Sequence, residues 1–152
     1  IQQTTDGGYL LGGDSDSPVG GDKSQGSKGS TDFWILKTNG AGVKEWDKSF
    51  GGNLAESMYA VMQTNDGGFI LGGESKSGIS GDKTQDAHGG LDYWIVKTDA
   101  SGTKQWDVRF GGSGDAELRS VQQTIDGGYI LAGFSSAGIS SDKAEAGRGV
   151  TD

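Results

Sequence analysis

Three residues that can each carry a positive charge recur at equivalent points of the sequence. Lys28, His88 and Arg148 each stand directly before a glycine and follow one another at a constant interval. Each also precedes an aspartate by four residues, and these aspartates are Asp32, Asp92 and Asp152, of which the first two open an aromatic run. Cationic side chains bind carboxylates and other polar ligands, so we predict ligand binding here. The alternative is an ion pair between each cation and the following aspartate, which contributes at most about 1 kcal/mol at a surface.

Acidic residues in the same loops raise the question of a metal site. Carboxylates such as Asp82 and Asp92 are ligands that Ca²⁺ prefers, and these two are the first positions to inspect for calcium. Their spacing does not follow the D-x-[DN]-x-[DN]-G pattern of a calcium loop, and in the first copy Asp22 is followed by the cation Lys23. One histidine and no cysteine argue against zinc. We therefore predict no bound metal and no other cofactor.

The glycine-rich stretch NDGGFILGGES, residues 65–75, has the spacing of a phosphate loop in part. A phosphate loop needs lysine and then serine or threonine at its end, whereas Gly73 and Glu74 stand there, and an acidic residue repels phosphate. The doublet Gly72-Gly73 and its copy Gly12-Gly13 are better explained as positions where a neighbouring element approaches closely. We predict that the approaching groups are indole rings.

The four tryptophans could stack on sugar rings or pack between structural units. Because they occur as two pairs separated by the same interval as the cations, we predict packing for Trp34, Trp46, Trp94 and Trp106. Catalysis has little support, since His88 is the only histidine and no G-x-S-x-G motif surrounds a serine. Carboxylates brought together from distant loops stay open as an acid and base pair. The segment is predicted not to be an enzyme.

The elements that must position these residues repeat at this one interval, without insertion or deletion. Asp6, Asp66 and Asp126 each begin a DGG triplet, and their numbers give the period directly. The chain therefore contains two full modules and the first part of a third, with boundaries at 1–52, 53–112 and 113–152. Self-similarity at a fixed period is typical of repeat architectures.

Each module reads as four β-strands, which in the second module are residues 57–64, 68–73, 92–98 and 104–110. Glycine allows the positive φ of the tight turns, and no window has helical apolar spacing. On the fourth strand we expect Trp106 on one face and a solvated face with Gln105, Asp107 and Arg109. The predicted class is all-β, with four-stranded antiparallel blades of a β-propeller, and a stacked solenoid is the competing geometry. A ring needs about four to eight blades, so we expect further blades in a longer polypeptide or in other copies.

The composition limits the partners. A net charge of −8 disfavours nucleic acid and anionic membrane surfaces. No apolar run reaches the roughly 20 residues that span a bilayer, and no targeting pattern is visible in the segment.

The order FILGG, DYWIVKTD and TKQWD resembles the kelch repeat. It also resembles the propeller repeats, similar to this module in length, of large secreted and surface proteins of Bacteroidetes and related bacteria. The module is longer than a kelch repeat, with an extended loop between its second and third strands. The resemblance implies an extracellular or cell-surface bacterial β-propeller.

Together these observations predict a non-enzymatic binding or scaffold module. It would engage a protein or a glycan through the loop between the second and third strands of each module. Two alternatives stay open. One is an accessory or partial domain of a carbohydrate-active enzyme, and the other is a structural unit whose partners are further modules or copies of itself.

Overall fold

The computed structural model describes residues 1–149 and 151, and every regular element in that part of the chain is a β-strand. The strands are β1 (Gln2–Gln3), β2 (Tyr9–Ser15), β3 (Asp32–Thr38), β4 (Lys44–Phe50), β5 (Glu56–Gln63), β6 (Phe69–Ser75), β7 (Asp92–Thr98), β8 (Lys104–Phe110), β9 (Ala116–Gln123) and β10 (Tyr129–Ser135). Within the described residues there is no helix of the length and hydropathy required to cross a membrane.

The strands form two four-stranded antiparallel sheets and one hairpin. The first sheet has the order β1-β2-β3-β4, the second has the order β5-β6-β7-β8, and β9 pairs with β10 in what we term the third sheet. Strands adjacent in sequence are adjacent in each sheet, so the connectivity is a meander. The predicted all-β antiparallel architecture is confirmed. The bounds of β7 and β8 match the prediction, whereas β5 begins one residue earlier and β6 ends two residues later than expected.

Each first hairpin turns at a glycine and is fixed by the aspartate before it. Gly7, Gly67 and Gly127 have φ values of 82°, 81° and 88°, which favour glycine over other residues. In the first turn Asp6 Oδ1 accepts hydrogen bonds from Thr4 Oγ1 at 2.5 Å and from Gly8 N at 2.9 Å. Lys37 on β3 pairs with Asp6 at 2.8 Å, which connects the turn to the third strand.

The sheets stack face to face, and the core lies between them. Between the first two sheets the buried cluster includes Leu10 and Phe33 from one side and Leu71 and Trp94 from the other. The Phe33 and Trp94 ring centroids are 4.9 Å apart. Burying one such side chain contributes about 1.5–3 kcal/mol. A second buried cluster, which includes Ile70 and Leu118, joins the second sheet to β9.

The glycine doublets do allow close approach, but the approaching groups differ from the predicted indoles. A Cβ at Gly72 would lie 2.5 Å from Leu118 Cδ2, and one at Gly12 would lie 3.3 Å from Val61 Cγ1 with Met58 Cε closer still. Aliphatic side chains of the next sheet's first strand therefore occupy this space. The prediction failed because β2 packs against β5 and β6 packs against β9, and neither β5 nor β9 carries a tryptophan.

The tryptophans occupy two different environments. Trp94 is fully buried, whereas Trp106 is 38% exposed, and Trp34 and Trp46 are half-buried. Trp94 Nε1 donates to Asp107 Oδ2 at 3.0 Å, and Trp34 Nε1 donates to Asp47 Oδ2 at 3.1 Å. Trp106 nevertheless packs between sheets, because its ring centroid lies 5.8 Å from that of Tyr129 in the third sheet, as the Trp46 centroid lies 5.7 Å from that of Phe69 in the second.

Asp107 is not on a solvated face as predicted, because its side chain is only 1% exposed. Burial opposes its ionisation, but hydrogen bonds from Lys104, Thr84 and Trp94 outweigh burial and hold the pKa of Asp107 below its usual value. The strand that reads as an outer strand thus anchors both the Trp94 indole and the long loop after β6.

Candidate functional site

Lys28 lies in the loop between β2 and β3, as expected, but its partner belongs to the second sheet. Its Nζ pairs with Asp82 Oδ2 at 2.5 Å and donates to Ser49 O at 3.2 Å. The side chain of Asp32 instead accepts a hydrogen bond from the Lys28 backbone N at 2.8 Å. The predicted local ion pair between Lys28 and Asp32 is therefore wrong, because the extended loop places Lys28 beside the next sheet.

His88 occupies the equivalent loop position in the second sheet. Its backbone N donates to Asp92 Oδ2 at 2.8 Å, and its ring Nε2 contacts Arg109 Nη2. Arg109 in turn pairs with Asp142 Oδ2 at 2.7 Å. The cation that pairs with the following module is thus Lys28 in a loop in the first copy and Arg109 on β8 in the second. The aspartates with which they pair, Asp82 and Asp142, are at equivalent positions.

The receiving aspartates form the same contact at both boundaries between sheets. Asp82 N donates to Gly51 O at 2.8 Å, and Gly51 N donates to Asp82 Oδ2 at 3.1 Å. Asp142 and Gly111 make the same pair of hydrogen bonds at 3.2 Å and 3.1 Å. We refer to each aspartate with its glycine and its cation as a junction clasp. The clasps show that Lys28 and Arg109 help to join successive sheets.

The structure does not bring the three predicted cations together. Lys28 contacts the second sheet and His88 contacts Arg109, so each lies at its own junction. Arg148 is exposed and also has interaction partners. Its predicted partner Asp152 lies outside the described residues. The three positions therefore form separate points along the stack of sheets.

Asp82 and Asp92, the positions to inspect for calcium, do not share a site in the structure. Asp82 faces Lys28 and the Gly51 amide, whereas Asp92 is fully buried beneath the loop that precedes it. Asp92 Oδ2 accepts the His88 amide, and Asp92 Oδ1 has no hydrogen-bond partner. Across residues 1–149 and 151, no three histidine, cysteine, aspartate or glutamate side chains gather as metal ligands would.

Among the described residues, one cluster of polar and aromatic side chains lies where the second sheet meets the third and is not repeated where the first sheet meets the second. The Arg119 guanidinium on β9 lies 4.2 Å from the Tyr59 ring centroid and 5.1 Å from that of Phe134. Arg119 also pairs with Glu117. Such cation–π contacts contribute about 0.5–1 kcal/mol at exposed sites and more when they are desolvated. We name Tyr59, Glu74, Glu117, Arg119 and Phe134 the Arg119 cluster.

Glu74 gives this cluster its chemical character. Tyr59 Oη donates to Glu74 Oε1 at 3.2 Å, while Oε2 is buried without a hydrogen-bond partner. The residue is only 8% exposed. Burial and then the nearby charge of Glu117 raise the pKa of the Glu74 carboxyl above its ordinary value, and burial also raises the pKa of the Tyr59 hydroxyl. Ionisable groups with shifted pKa values are concentrated at functional sites of proteins.

A cavity of about 350 Å³ lies beside the cluster and is lined by Tyr59, Arg119 and their neighbours on β5 and β9, together with Ile1 and Gly12. Ligand sites in proteins typically have about 300–1,000 Å³. An aromatic ring and an arginine together can stack on and hydrogen-bond a hydroxyl-rich molecule. The cavity therefore has the size and the groups to hold a sugar unit.

Sequence reasoning missed the Arg119 cluster because it looked for residues that repeat. The signal was present as a break in repetition, since Glu74 aligns with Asp14 and Phe134, and Tyr59 aligns with Arg119. Packing is solved in the same way in every module, whereas a site can be built once. The positions that change type while their neighbours stay constant were the ones to examine.

A comparison of the chain with models of known protein families finds no match, and neither does a comparison with curated proteins. Function is therefore inferred from the contacts described above.

Proposed function

We propose that the chain is a segment of a kelch-like β-propeller and serves as a non-enzymatic binding and scaffold module of a secreted or cell-surface bacterial protein. The observation that supports this most directly is the stacking of successive four-stranded meanders through equivalent contacts. The first strands β1, β5 and β9 contact one another in turn, as the inner strands of successive blades do. On this proposal the blades are residues 1–52, 53–112 and 113–152, and further blades complete the ring.

The proposed ligand is a protein or a glycan that engages the loops after β2, β6 and β10. These loops carry Lys28, His88 and Arg148 in a chain whose net charge is −8. The Lys28 side chain is 36% exposed although it pairs with Asp82, so part of it stays accessible to a ligand. Basic side chains in successive loops of an acidic protein favour partners with carboxylates or oriented hydroxyls.

A glycan array tests this proposal when it compares the chain with a variant in which Lys28, His88 and Arg148 are all replaced by alanine. We expect the chain to retain at least one class of glycan and the triple variant to lose it. Asp82→Asn is the matched control, because it breaks the junction ion pair and keeps the side chains of Lys28, His88 and Arg148. Equal retention by the triple variant would show that the loop face is not the site.

The Arg119 cluster favours a second function, the accessory or partial domain of a carbohydrate-active enzyme. A carboxyl with a raised pKa, such as Glu74, is what a general acid in glycoside hydrolysis requires, and Glu117 is a second carboxylate in the same cluster. A panel of 4-nitrophenyl glycosides tests this function. Release of 4-nitrophenol that Glu74→Gln abolishes supports it, and no release above background for any sugar argues against it.

A structural role with copies of itself as partners is supported by the outer face of the first sheet. Leu11 is 39% exposed there, whereas its equivalent Leu71 is fully buried against the first sheet. Trp34 and Leu36 lie beside Leu11 along a cavity of about 300 Å³. The positions of Leu11, Trp34 and Leu36 are equivalent to those through which the second sheet packs against the first. A further sheet of the same kind can therefore pack on this face.

A further inference from the structure

Glu56 is a fully buried carboxylate at the junction of the first and second sheets. Its Oε1 accepts hydrogen bonds from Ser75 Oγ at 2.7 Å and from Ser77 Oγ at 2.6 Å. Its Oε2 accepts a hydrogen bond from Gly52 N at 2.8 Å. Three donors converge on this carboxylate, which is how proteins hold a buried negative charge. The Ser75 and Ser77 hydroxyls and the Gly52 amide thus form a carboxylate receptor, which the side chain of Glu56 occupies.

The equivalent junction between the second and third sheets lacks that side chain. Ala116 stands where Glu56 would, and it pairs with Ser135 on β10 as Glu56 pairs with Ser75 on β6. Ala137 replaces Ser77. Gly112, the equivalent of Gly52, donates its N–H to no acceptor among the residues that the structure describes. Two of the three donors of the receptor are therefore retained, the Ser135 hydroxyl and the Gly112 amide.

A cavity of about 200 Å³ lies at this second junction, with Ala116, Ser135 and Lys143 in its lining. Tyr93 and Phe110 form its apolar wall. The cavity is smaller than the roughly 300 Å³ at which drug-sized ligand sites begin, so its occupant has few non-hydrogen atoms.

The charges around the cavity suit an anion. Lys143 Nζ donates to Ala137 O at 2.8 Å, which holds its ammonium group at the polar end. Asp142 also lines the cavity, but its carboxylate pairs with Arg109 at 2.7 Å and accepts the Gly111 amide. At the first junction the equivalent lysine, Lys83, is buried, and its Nζ donates to Gln85 O at 2.9 Å.

We propose that the cavity lined by Ala116, Ser135 and Lys143 binds a small monocarboxylate with a short apolar tail. The carboxylate takes the place that the Glu56 carboxylate occupies at the first junction. It accepts hydrogen bonds from Ser135 Oγ and Gly112 N, and the tail lies against Tyr93 and Phe110. The proposed site does not include Lys28, His88, Arg148 or the Arg119 cluster, so it can be tested independently of the proposed function.

Titration with sodium propionate, followed by amide resonances in ¹H–¹⁵N spectra, tests the proposal. We expect a saturable shift of the Gly112 amide that sodium chloride at the same ionic strength does not produce. Propionamide has the same shape without the charge, and it should produce no saturable shift. A Gly112 resonance that does not respond to propionate, or responds equally to propionamide, would overturn the proposal.

Two variants localise the site. Ala116→Glu supplies the carboxylate from within the chain, so the propionate response of Gly112 should disappear. Ser135→Ala removes one hydrogen bond to a charged group and should weaken propionate binding about tenfold. Ser15→Ala is the matched control, because it removes the equivalent hydroxyl of the first sheet and should leave binding unchanged. If Ala116→Glu does not fold, the comparison of Ser135→Ala with Ser15→Ala decides, and equal affinity for propionate in both refutes the site.

The reciprocal variant gives an independent readout. Glu56→Ala should open a second propionate site at the first junction, where the Gly52 amide would report binding. Propionate should then raise the Tm of Glu56→Ala more than that of the unaltered chain, because a ligand that binds only the folded state stabilises it. An equal effect of propionate on both Tm values contradicts the idea that the receptor recognises a carboxylate.

Discussion

Replacing Gly73 or Gly13 by alanine should have opposite effects on stability, although both residues end the same glycine doublet. A Cβ at Gly73 would lie 2.9 Å from Met58 Cα and 2.9 Å from Phe33 Cζ, with the Ser57 carbonyl oxygen closer still. A Cβ at Gly13 would meet no atom within 4 Å. Two of the obstacles at Gly73 are backbone atoms, which cannot turn away as the end of a side chain can.

The magnitudes follow from these distances. Carbon atoms pack at about 3.5–4.0 Å, so alanine at residue 73 forces a displacement of at least about 0.6 Å between paired strands. Overpacking of this kind costs about 1–3 kcal/mol. Alanine also restricts the unfolded chain, which stabilises a protein by about 0.4–1 kcal/mol where the native backbone accepts it. We therefore expect Gly13→Ala to be slightly stabilising and Gly73→Ala to be destabilising by about 1–2 kcal/mol.

Urea denaturation followed by tryptophan fluorescence measures both variants on the same chain. The expected result is a lower denaturation midpoint for Gly73→Ala and an equal or higher midpoint for Gly13→Ala, with unchanged m-values. In a scan the loss corresponds to a fall in Tm of about 2–4 °C per kcal/mol for a domain of 150–250 residues. Equal midpoints for the two variants would mean that Gly73 does not lie against the β5 backbone and Phe33 as described, and the reasoning would fail.

Three further predictions concern charged and exposed groups. Lys28→Ala should lower the free energy of unfolding by less than about 1 kcal/mol, since the pair with Asp82 is partly exposed, and a double-mutant cycle with Asp82→Asn should give a coupling of that size. The pKa of Asp107 is depressed below its ordinary 3.8, so its contribution is present above that pH and is lost as pH falls through the lower folded value. Asp107→Asn should flatten the acid limb of the stability profile below pH 3.8, and an unchanged limb would contradict this. Leu11→Lys should abolish any self-association that light scattering detects. Ile79→Lys, in the exposed loop after β6, is the control, and equal effects of the two variants would exclude the outer face of the first sheet as the surface of self-association.

The strands could be predicted from the sequence because their signals are local. Alternating and continuous apolar runs bounded by glycine turns fixed β7 at residues 92–98 and β8 at residues 104–110. The turn aspartate and glycine likewise act within a few residues of each other. Such features depend on backbone geometry that any copy of the segment would adopt.

Contacts between sheets could not be predicted in the same way. The partner of Lys28 is Asp82, 54 residues away, and the neighbour of Gly72 is Leu118. Both depend on how two sheets are rotated and shifted against each other, which the pattern within one module does not encode. Asp107 was placed on a solvated face for a different reason, because the alternation along β8 does not show that the loop between β6 and β7 of the same sheet covers it.

The two junction clasps have a consequence for exchanging repeats. The cation is Lys28 from a loop at one junction and Arg109 from a strand at the other, while His88 and Ser49 stand at the vacated positions. Grafting the His88 loop into the first repeat would leave Asp82 without a cation, and grafting the Lys28 loop into the second would place two cations before Asp142. The residues of one clasp come from two neighbouring repeats. Recombination of these repeats should therefore use crossover points inside a repeat, so that both halves of each clasp are transferred together.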